Sequence, residues 1–240
     1  MNSSLTLNFL MIFNLVIKSV FKKETMNKDP KAQTAAQKTY KFKLVLLGSL
    51  SVGKTQLSLR YIRNRYGENG QATIMPGLIS KTTQFEQKQI EVTIFDTCGQ
   101  ERFNALPKIY YRDTAGVIFV YDITNRESFF NLETWLGAVK QQNGCSQANK
   151  ILFGNKCDLE EKRAVTYEEG KEFADRFGME FFETSAKEDI GVVEGFNRLL
   201  KQILQMVELE RQAPESKDKI GVGLGKGNRN AKQRKFLGYC

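Results

Sequence analysis

Histidine is absent from the 240 residues of this chain. Without an imidazole there is no Ser-His-Asp or Cys-His relay, no histidine metal ligand and no histidine pH switch. Cysteine is scarce, and the four present (Cys98, Cys145, Cys157 and Cys240) include no C-x-x-C pair. This pattern argues against a zinc ribbon, a redox dithiol or a disulfide scaffold, and fits a reducing compartment. Long apolar runs are also missing. The most apolar stretch, residues 5–21, is broken by Asn8, Asn14 and Lys18, short of the ~20 consecutive apolar residues a transmembrane helix needs. No Lys or Arg precedes it and no small-residue cleavage site follows it, so it reads poorly as a signal peptide. The available chemistry is that of carboxylates, amides, hydroxyls, Lys, Arg or a bound ion.

What is present is an ordinary globular composition, 41% apolar and 26% charged, enough for a sizeable core. The net charge of +9 is unevenly spread: residues 1–43 carry +6, residues 211–240 carry +6, and residues 44–210 carry −3. A nucleic-acid-binding domain carries its positive charge on a structured face. Basic tails flanking a mildly acidic body point to an anionic membrane surface and not to nucleic acid. The expected organisation is an N-terminal extension at 1–40, a folded domain at 41–210 and a disordered basic tail at 211–240. Met26 offers a second start, which would make residues 1–25 optional; a weak membrane anchor there is the alternative.

Within the domain, strand-like runs at 42–47, 79–85, 90–95, 116–121, 150–153 and 180–182 alternate with helical patterns. The helical stretches are 54–64, about 102–110, 127–142, 167–177 and 192–210. Alternation of this kind predicts an α/β domain, a mostly parallel six-stranded sheet with helices on both faces. The runs 79–85 and 90–95 are joined by only four residues, so one strand is expected to be antiparallel.

Gly48-Ser49-Leu50-Ser51-Val52-Gly53-Lys54-Thr55 matches G-x-x-x-x-G-K-[ST] between a strand and a helix, the context of a phosphate-binding loop. Its glycines let backbone N–H groups converge on phosphate oxygens, Lys54 reaches the outer phosphates, and the Thr55 hydroxyl suits Mg²⁺. Three shorter signals follow, each after a strand. In Asp96-Thr97-Cys98-Gly99-Gln100, an Asp at a strand end can hold Mg²⁺ through water, and the Gly99 amide can meet a γ-phosphate. In Asn155-Lys156-Cys157-Asp158, a carboxylate can accept both N–H donors of guanine's edge, which adenine does not offer. In Ser185-Ala186-Lys187, a backbone N–H can meet guanine O6. Ligands of open α/β sheets bind at this edge.

Together these motifs resemble the small GTPases of the Ras superfamily, most of all the Rab branch, over residues 41–210. The likeness extends to Asp96-Thr97-Cys98-Gly99-Gln100-Glu101-Arg102-Phe103, Tyr110-Tyr111-Arg112, Tyr121-Asp122-Ile123-Thr124 and Glu183-Thr184-Ser185-Ala186-Lys187. The resemblance implies a P-loop G domain that binds GTP or GDP with Mg²⁺ and switches between two states. Its nucleotide contacts would come from Ser51, Val52, Gly53, Lys54, Thr55, Gln56, Gly99, Asn155, Lys156, Asp158, Ser185, Ala186 and Lys187. Tyr66 stands where the family usually has a Phe against the guanine ring. Thr73 matches the switch threonine that joins Thr55 and Asp96 around Mg²⁺, and Gln100 matches the residue that orients the attacking water. The implied partners are an exchange factor, an activating protein and effectors. The implied setting is a cytoplasmic monomer held peripherally on the cytosolic face of an intracellular membrane, where it regulates vesicle traffic.

Four features depart from the family. Thr73-Ile74 is followed by Met75-Pro76-Gly77 where Gly usually comes directly. The aromatic triad read by effectors aligns with Leu78, Phe95 and Tyr110, so effector identity does not transfer. Rabs usually end in two prenylatable cysteines, whereas here Cys240 alone follows a basic stretch of Lys226, Arg229, Lys232, Arg234 and Lys235. One lipid and such a stretch hold a protein reversibly on an anionic leaflet. Leu50 occupies a loop position that is normally small, so hydrolysis is expected to be slow. The alternatives are a non-cycling module that retains GTP, favoured by Leu50 and Met75, and an ATP-dependent P-loop enzyme, which has no support beyond the loop.

Overall fold

The computed structural model describes residues 39–67, 77–97, 111–142, 145 and 147–212. All six expected strands are present: β1 (Thr39–Leu47), β2 (Gly77–Phe85), β3 (Lys88–Asp96), β4 (Gly116–Asp122), β5 (Asn149–Asn155) and β6 (Glu180–Thr184). They form one sheet in the order β2-β3-β1-β4-β5-β6. β1 with β4, β4 with β5, and β5 with β6 are parallel pairs. β4 is buried along its whole length, which is why its sequence reads as an unbroken apolar run.

Helix α1 (Lys54–Arg63) follows β1, α2 (Arg126–Phe130) and α3 (Leu132–Lys140) follow β4, α4 (Tyr167–Arg176) follows β5, and α5 (Val192–Gln212) follows β6. A single helix was expected over 127–142, and Asn131 divides it. The division is slight, because Asn131 keeps helical torsions while its amide donates to Ser49 Oγ at 3.3 Å. The pattern expected at 102–110 lies outside the described residues. α4 starts at a capping box, in which the Thr166 side chain accepts from Glu169 N and the Glu169 carboxylate accepts from Thr166 N, satisfying two end donors at once. α5 buries Val192, Phe196, Leu199, Leu200, Ile203 and Leu204, the 3–4-residue spacing of one helix face.

By contacts the chain divides into a small unit, whose described residues are 39–41 and 82–91, and a larger one of 42–81 with the described residues from 92 on. In the small unit the link between β2 and β3 is tighter than the four residues expected. Glu86 and Gln87 form a two-residue turn with both φ positive (45° and 64°), the type I′ geometry that joins antiparallel strands. Thr39 Oγ1 donates to Gln89 Oε1 at 3.0 Å, and Lys41 pairs with Glu91 at 3.4 Å.

In the larger unit an aromatic cluster runs across the core. Tyr61 of α1 stacks on Phe196 of α5 at 4.2 Å, and Phe196 meets Phe153 of β5 edge-on at 5.6 Å. Tyr121 is fully buried, yet its hydroxyl has no hydrogen-bond partner among the described residues. A buried hydroxyl left unpaired costs about 1–3 kcal/mol. Tyr121→Phe is therefore expected to raise stability by about 1 kcal/mol, measured by urea unfolding at saturating GDP. A loss of stability would mean that the hydroxyl is satisfied.

The parallel register aligns Asp122 of β4 with Asn155 of β5 and Asn155 with Thr184 of β6. Three sequence-distant motifs thus end in one row at the carboxyl edge of the sheet.

Candidate nucleotide-binding site

The loop between β1 and α1 starts and ends on glycines where a side chain would clash. A Cβ on Gly48 would lie 2.0 Å from the Val120 carbonyl oxygen, and one on Gly53 would lie 2.3 Å from Asn155 Nδ2, at a φ of 98°. Gly53 is also the N-cap of α1, which has no side-chain cap and no acidic residue in its first turn. The orphan N–H groups and the positive end of that helix suit an anion. The Lys54 ammonium, buried at 4% exposure, donates to the carbonyls of Gly48 (2.8 Å) and Ser49 (2.7 Å). It therefore lies over the curl of the loop.

Thr55 Oγ1 donates to Asp96 Oδ2 at 2.6 Å, bringing the loop onto the end of β3. Asp96 is 2% exposed, and its Oδ1 has no hydrogen-bond partner among the described residues. Burial raises the Asp96 pKa above the usual carboxylate range, against the Thr55 hydrogen bond and the Lys54 charge. An orphaned carboxylate oxygen beside a hydroxyl is a donor set of hard oxygens and fits Mg²⁺.

The second wall comes from β5 and β6. Asn155 Nδ2 donates to the Val52 carbonyl at 2.8 Å, and its Oδ1 accepts from Thr184 Oγ1 at 3.2 Å. One buried amide thus joins the phosphate loop to both strands. Ser185 Oγ donates to Asp158 Oδ1 at 2.6 Å and accepts from Glu188 N at 3.0 Å. Lys156 adopts a left-handed φ of 68° and pairs with Asp122 Oδ2 at 2.6 Å. Burial pushes the Cys157 thiol pKa up, so this cysteine beside Asp158 stays a neutral thiol.

The expected set Ser51, Val52, Gly53, Lys54, Thr55, Asp96, Asn155, Lys156, Asp158, Ser185, Ala186 and Lys187 is thereby gathered at the carboxyl ends of β1, β3, β5 and β6. Gln56 and the 40% exposed Tyr66 flank it from α1 and the segment that follows. Thr73, Gly99, Gln100, Tyr110 and Cys240 lie outside the described residues. Of the effector-facing triad, Leu78 is exposed and Phe95 is buried.

Residues 43–205 match the Ras family profile. The chain belongs to the Ras family. It is 38% identical over 179 residues to the Ras-related protein Rab-21 of Bos taurus, a match spanning 75% of this chain and 80% of that protein. It is 41% identical over 163 residues to Rab-13 of Mesocricetus auratus, covering 68% and 80%. To RABA4b of Arabidopsis thaliana it is 42% identical over 180 residues, covering 73% and 78%. This Ras-family chain is a Rab-type small GTPase: it binds guanine nucleotide, hydrolyses GTP and regulates membrane traffic through regulators and effectors. Neither the fold nor the relatives favour the non-cycling alternative.

Sequence reasoning missed the ties that hold this GTPase site together. Arg163 donates to both carboxylate oxygens of Glu183, at 2.5 and 2.9 Å, and also to Glu160. These bonds hold the Arg163 guanidinium well above its usual pKa. The pair ties the segment after Asp158 to the strand that precedes Ser185. Glu183 stands in the Rab-like stretch Glu183-Thr184-Ser185-Ala186-Lys187, but nothing local signals that it meets Arg163.

Proposed function

We propose that Asp158 reads the guanine base, with the N–H after Ser185 meeting O6 and with Tyr66 and the Lys156 stem against the ring. Residues Ser51, Val52, Gly53, Lys54 and Thr55, with the main chain of Gln56, hold the phosphates, with Gly99 at the γ-phosphate. The observation that carries this reading is the convergence of Asn155 on Val52 and of Ser185 on Asp158, which draws three separate loops to one sheet edge. Thr55 and Asp96, with Thr73, would hold Mg²⁺, supported by the orphaned Asp96 oxygen. When bound, Mg²⁺ neutralises charge on the phosphate oxygens. Gln100 orients water toward the γ-phosphorus; the bond to the bridging oxygen breaks, giving GDP and phosphate. Leu50, 42% exposed on the loop, slows this step.

The G domain spans 41–210, between the extension at 1–40 and the basic tail at 211–240. The protein acts as a monomer, attached peripherally to an intracellular membrane through a lipid on Cys240 and the basic residues before it. Among the described residues no helix is long and apolar enough to cross a membrane. The nucleotide reading is tested by identifying what co-purifies with the full chain. A mixture of GDP and GTP is expected, and adenine nucleotide would overturn it. For the membrane, Cys240→Ser and removal of residues 226–240 are each expected to shift the protein to the soluble fraction. Retention of the Cys240→Ser form would end the lipid assignment. Loss of attachment in a form starting at Met26 would transfer it to residues 1–25.

A further inference from the structure

Gln56 and Arg60 are four residues apart on α1 and so project from one face of that helix, a turn apart. The main chain of Gln56 continues the phosphate loop, but its side chain is used elsewhere: Gln56 Oε1 accepts from Gly67 N at 2.9 Å. Gly67 directly follows Tyr66. Arg60 reaches a different segment. Its Nε donates to the Ala186 carbonyl and its Nη2 to the Lys187 carbonyl, both at 2.9 Å. Its Nη1 donates to Asn64 Oδ1 at 3.2 Å at the end of α1, and Asp189 lies 4.0 Å from Nε.

The turn that Arg60 grips needs such a hold. A reciprocal backbone bridge between Ser185 and Ile190 (2.9 and 3.0 Å) closes its base, and Asp189 and Gly191 sit at positive φ. Residues 186–189 make a tight excursion outside the regular ladder. A planar guanidinium gives two fixed donors to two consecutive carbonyls, which an ammonium cannot reproduce. The Arg60 side chain is only 15% exposed, so these charge-assisted bonds are little weakened by water.

We infer that Gln56 and Arg60 are positioning residues that latch the two walls of the base pocket to the phosphate-loop helix, and that they set how long guanine nucleotide stays bound. Arg60 holds the wall that offers the N–H to guanine O6; Gln56 holds the segment that carries Tyr66. The inference rests on the reading that these two segments face the base. A base leaves when a wall swings outward, so loosening either latch speeds release without removing any group that touches the nucleotide.

The test is release of GDP, inosine diphosphate and 2-aminopurine riboside diphosphate from the full chain. Inosine keeps the 6-oxo group and lacks the 2-amino group; 2-aminopurine has the reverse. Arg60→Gln is expected to speed release of GDP and inosine diphosphate about tenfold, or ~1.4 kcal/mol, and to change 2-aminopurine release less than about threefold. Gln56→Ala acts on the other wall and is expected to speed all three alike, with the double variant multiplying the two effects on GDP. Arg60→Lys, which keeps the charge and loses the fork, is expected to fall between wild type and Arg60→Gln, and it carries the test if Arg60→Gln does not fold. GDP release within about twofold of wild type in Arg60→Gln, or equal acceleration of all three nucleotides by Arg60→Gln, would overturn the inference. Asp158→Asn in the same assay separates the two levels. If Asp158→Asn leaves GDP release unchanged, the base-pocket reading has failed; if only the Arg60 and Gln56 variants are silent, the latch alone has failed.

Discussion

Asp158→Asn is expected to abolish tight GTP binding while raising affinity for xanthosine triphosphate. The Asp158 carboxylate stands in a half-buried turn after β5, oriented by the Ser185 hydroxyl at 2.6 Å. One of its oxygens thereby accepts a hydrogen bond that restrains the carboxylate. An ionised carboxylate accepts from two parallel N–H donors, and guanine presents such a pair at N1 and the 2-amino group. The substitution replaces one acceptor with an amide donor, which faces a guanine donor and leaves both unpaired. A hydrogen bond to a charged group contributes ~1.5–3 kcal/mol, so GTP affinity should fall by on the order of a hundredfold. Xanthine carries an oxygen where guanine has its amino group, so the new amide finds an acceptor. Calorimetric titration with GTP, xanthosine triphosphate and ATP measures the exchange. Equal affinity of the wild-type chain for ATP and GTP would refute the assignment of Asp158.

Replacing Leu50 with Ser or Gly is expected to accelerate GTP hydrolysis and leave GDP binding almost unchanged. The loop binds phosphate with backbone N–H groups and Lys54, none of which depends on the side chain at position 50. The neighbouring positions are constrained differently: Ser49 is buried and bonded to Asn131, Ser51 has a φ of 62°, and Leu50 is substantially exposed. On the proposed reading, a branched apolar group at this point would crowd the space where water, Gln100 and an activating protein's arginine are to meet around the γ-phosphate. Misplacement by ~1 Å can cost on the order of a hundredfold in rate, so a gain approaching that size is expected in single turnover, larger still with an activating protein present. Unchanged rates in both Leu50→Ser and Leu50→Gly would show that Leu50 is no brake.

The phosphate loop was legible in the sequence because its chemistry is local. The eight residues Gly48 to Thr55 are contiguous, and both the backbone curl and the helix start are written in the positions of the glycines and the lysine. Asn155, Lys156 and Asp158 form a short motif that points to a guanine site only in company with the phosphate loop and Ser185-Ala186-Lys187, each after a strand. The strands were legible because β4 is buried along its whole length and β1 and β5 through their carboxyl-terminal halves, which imposes apolar runs on the chain. Local patterns misjudged two places. The hairpin proved to have a two-residue turn because Glu86 and Gln87 accept positive φ without being glycine. The single helix expected over 127–142 is two helices that meet at Asn131, whose backbone stays helical and whose side chain reaches Ser49 in the phosphate loop.

What the chain could not announce in advance is how the site is held. Lys156 needs Asp122, Arg163 needs Glu183, Asn155 needs both Val52 and Thr184, and Arg60 needs carbonyls 126 and 127 residues away. Each of these partners is chosen by the parallel register and the packing of α1, which bring distant loops to one edge of the sheet. A hydrogen bond between side chains so far apart in sequence imposes no period and no spacing on either partner. The motifs proposed to meet the nucleotide are therefore readable from residue order, while the contacts that hold those motifs together emerge only when the strands are side by side.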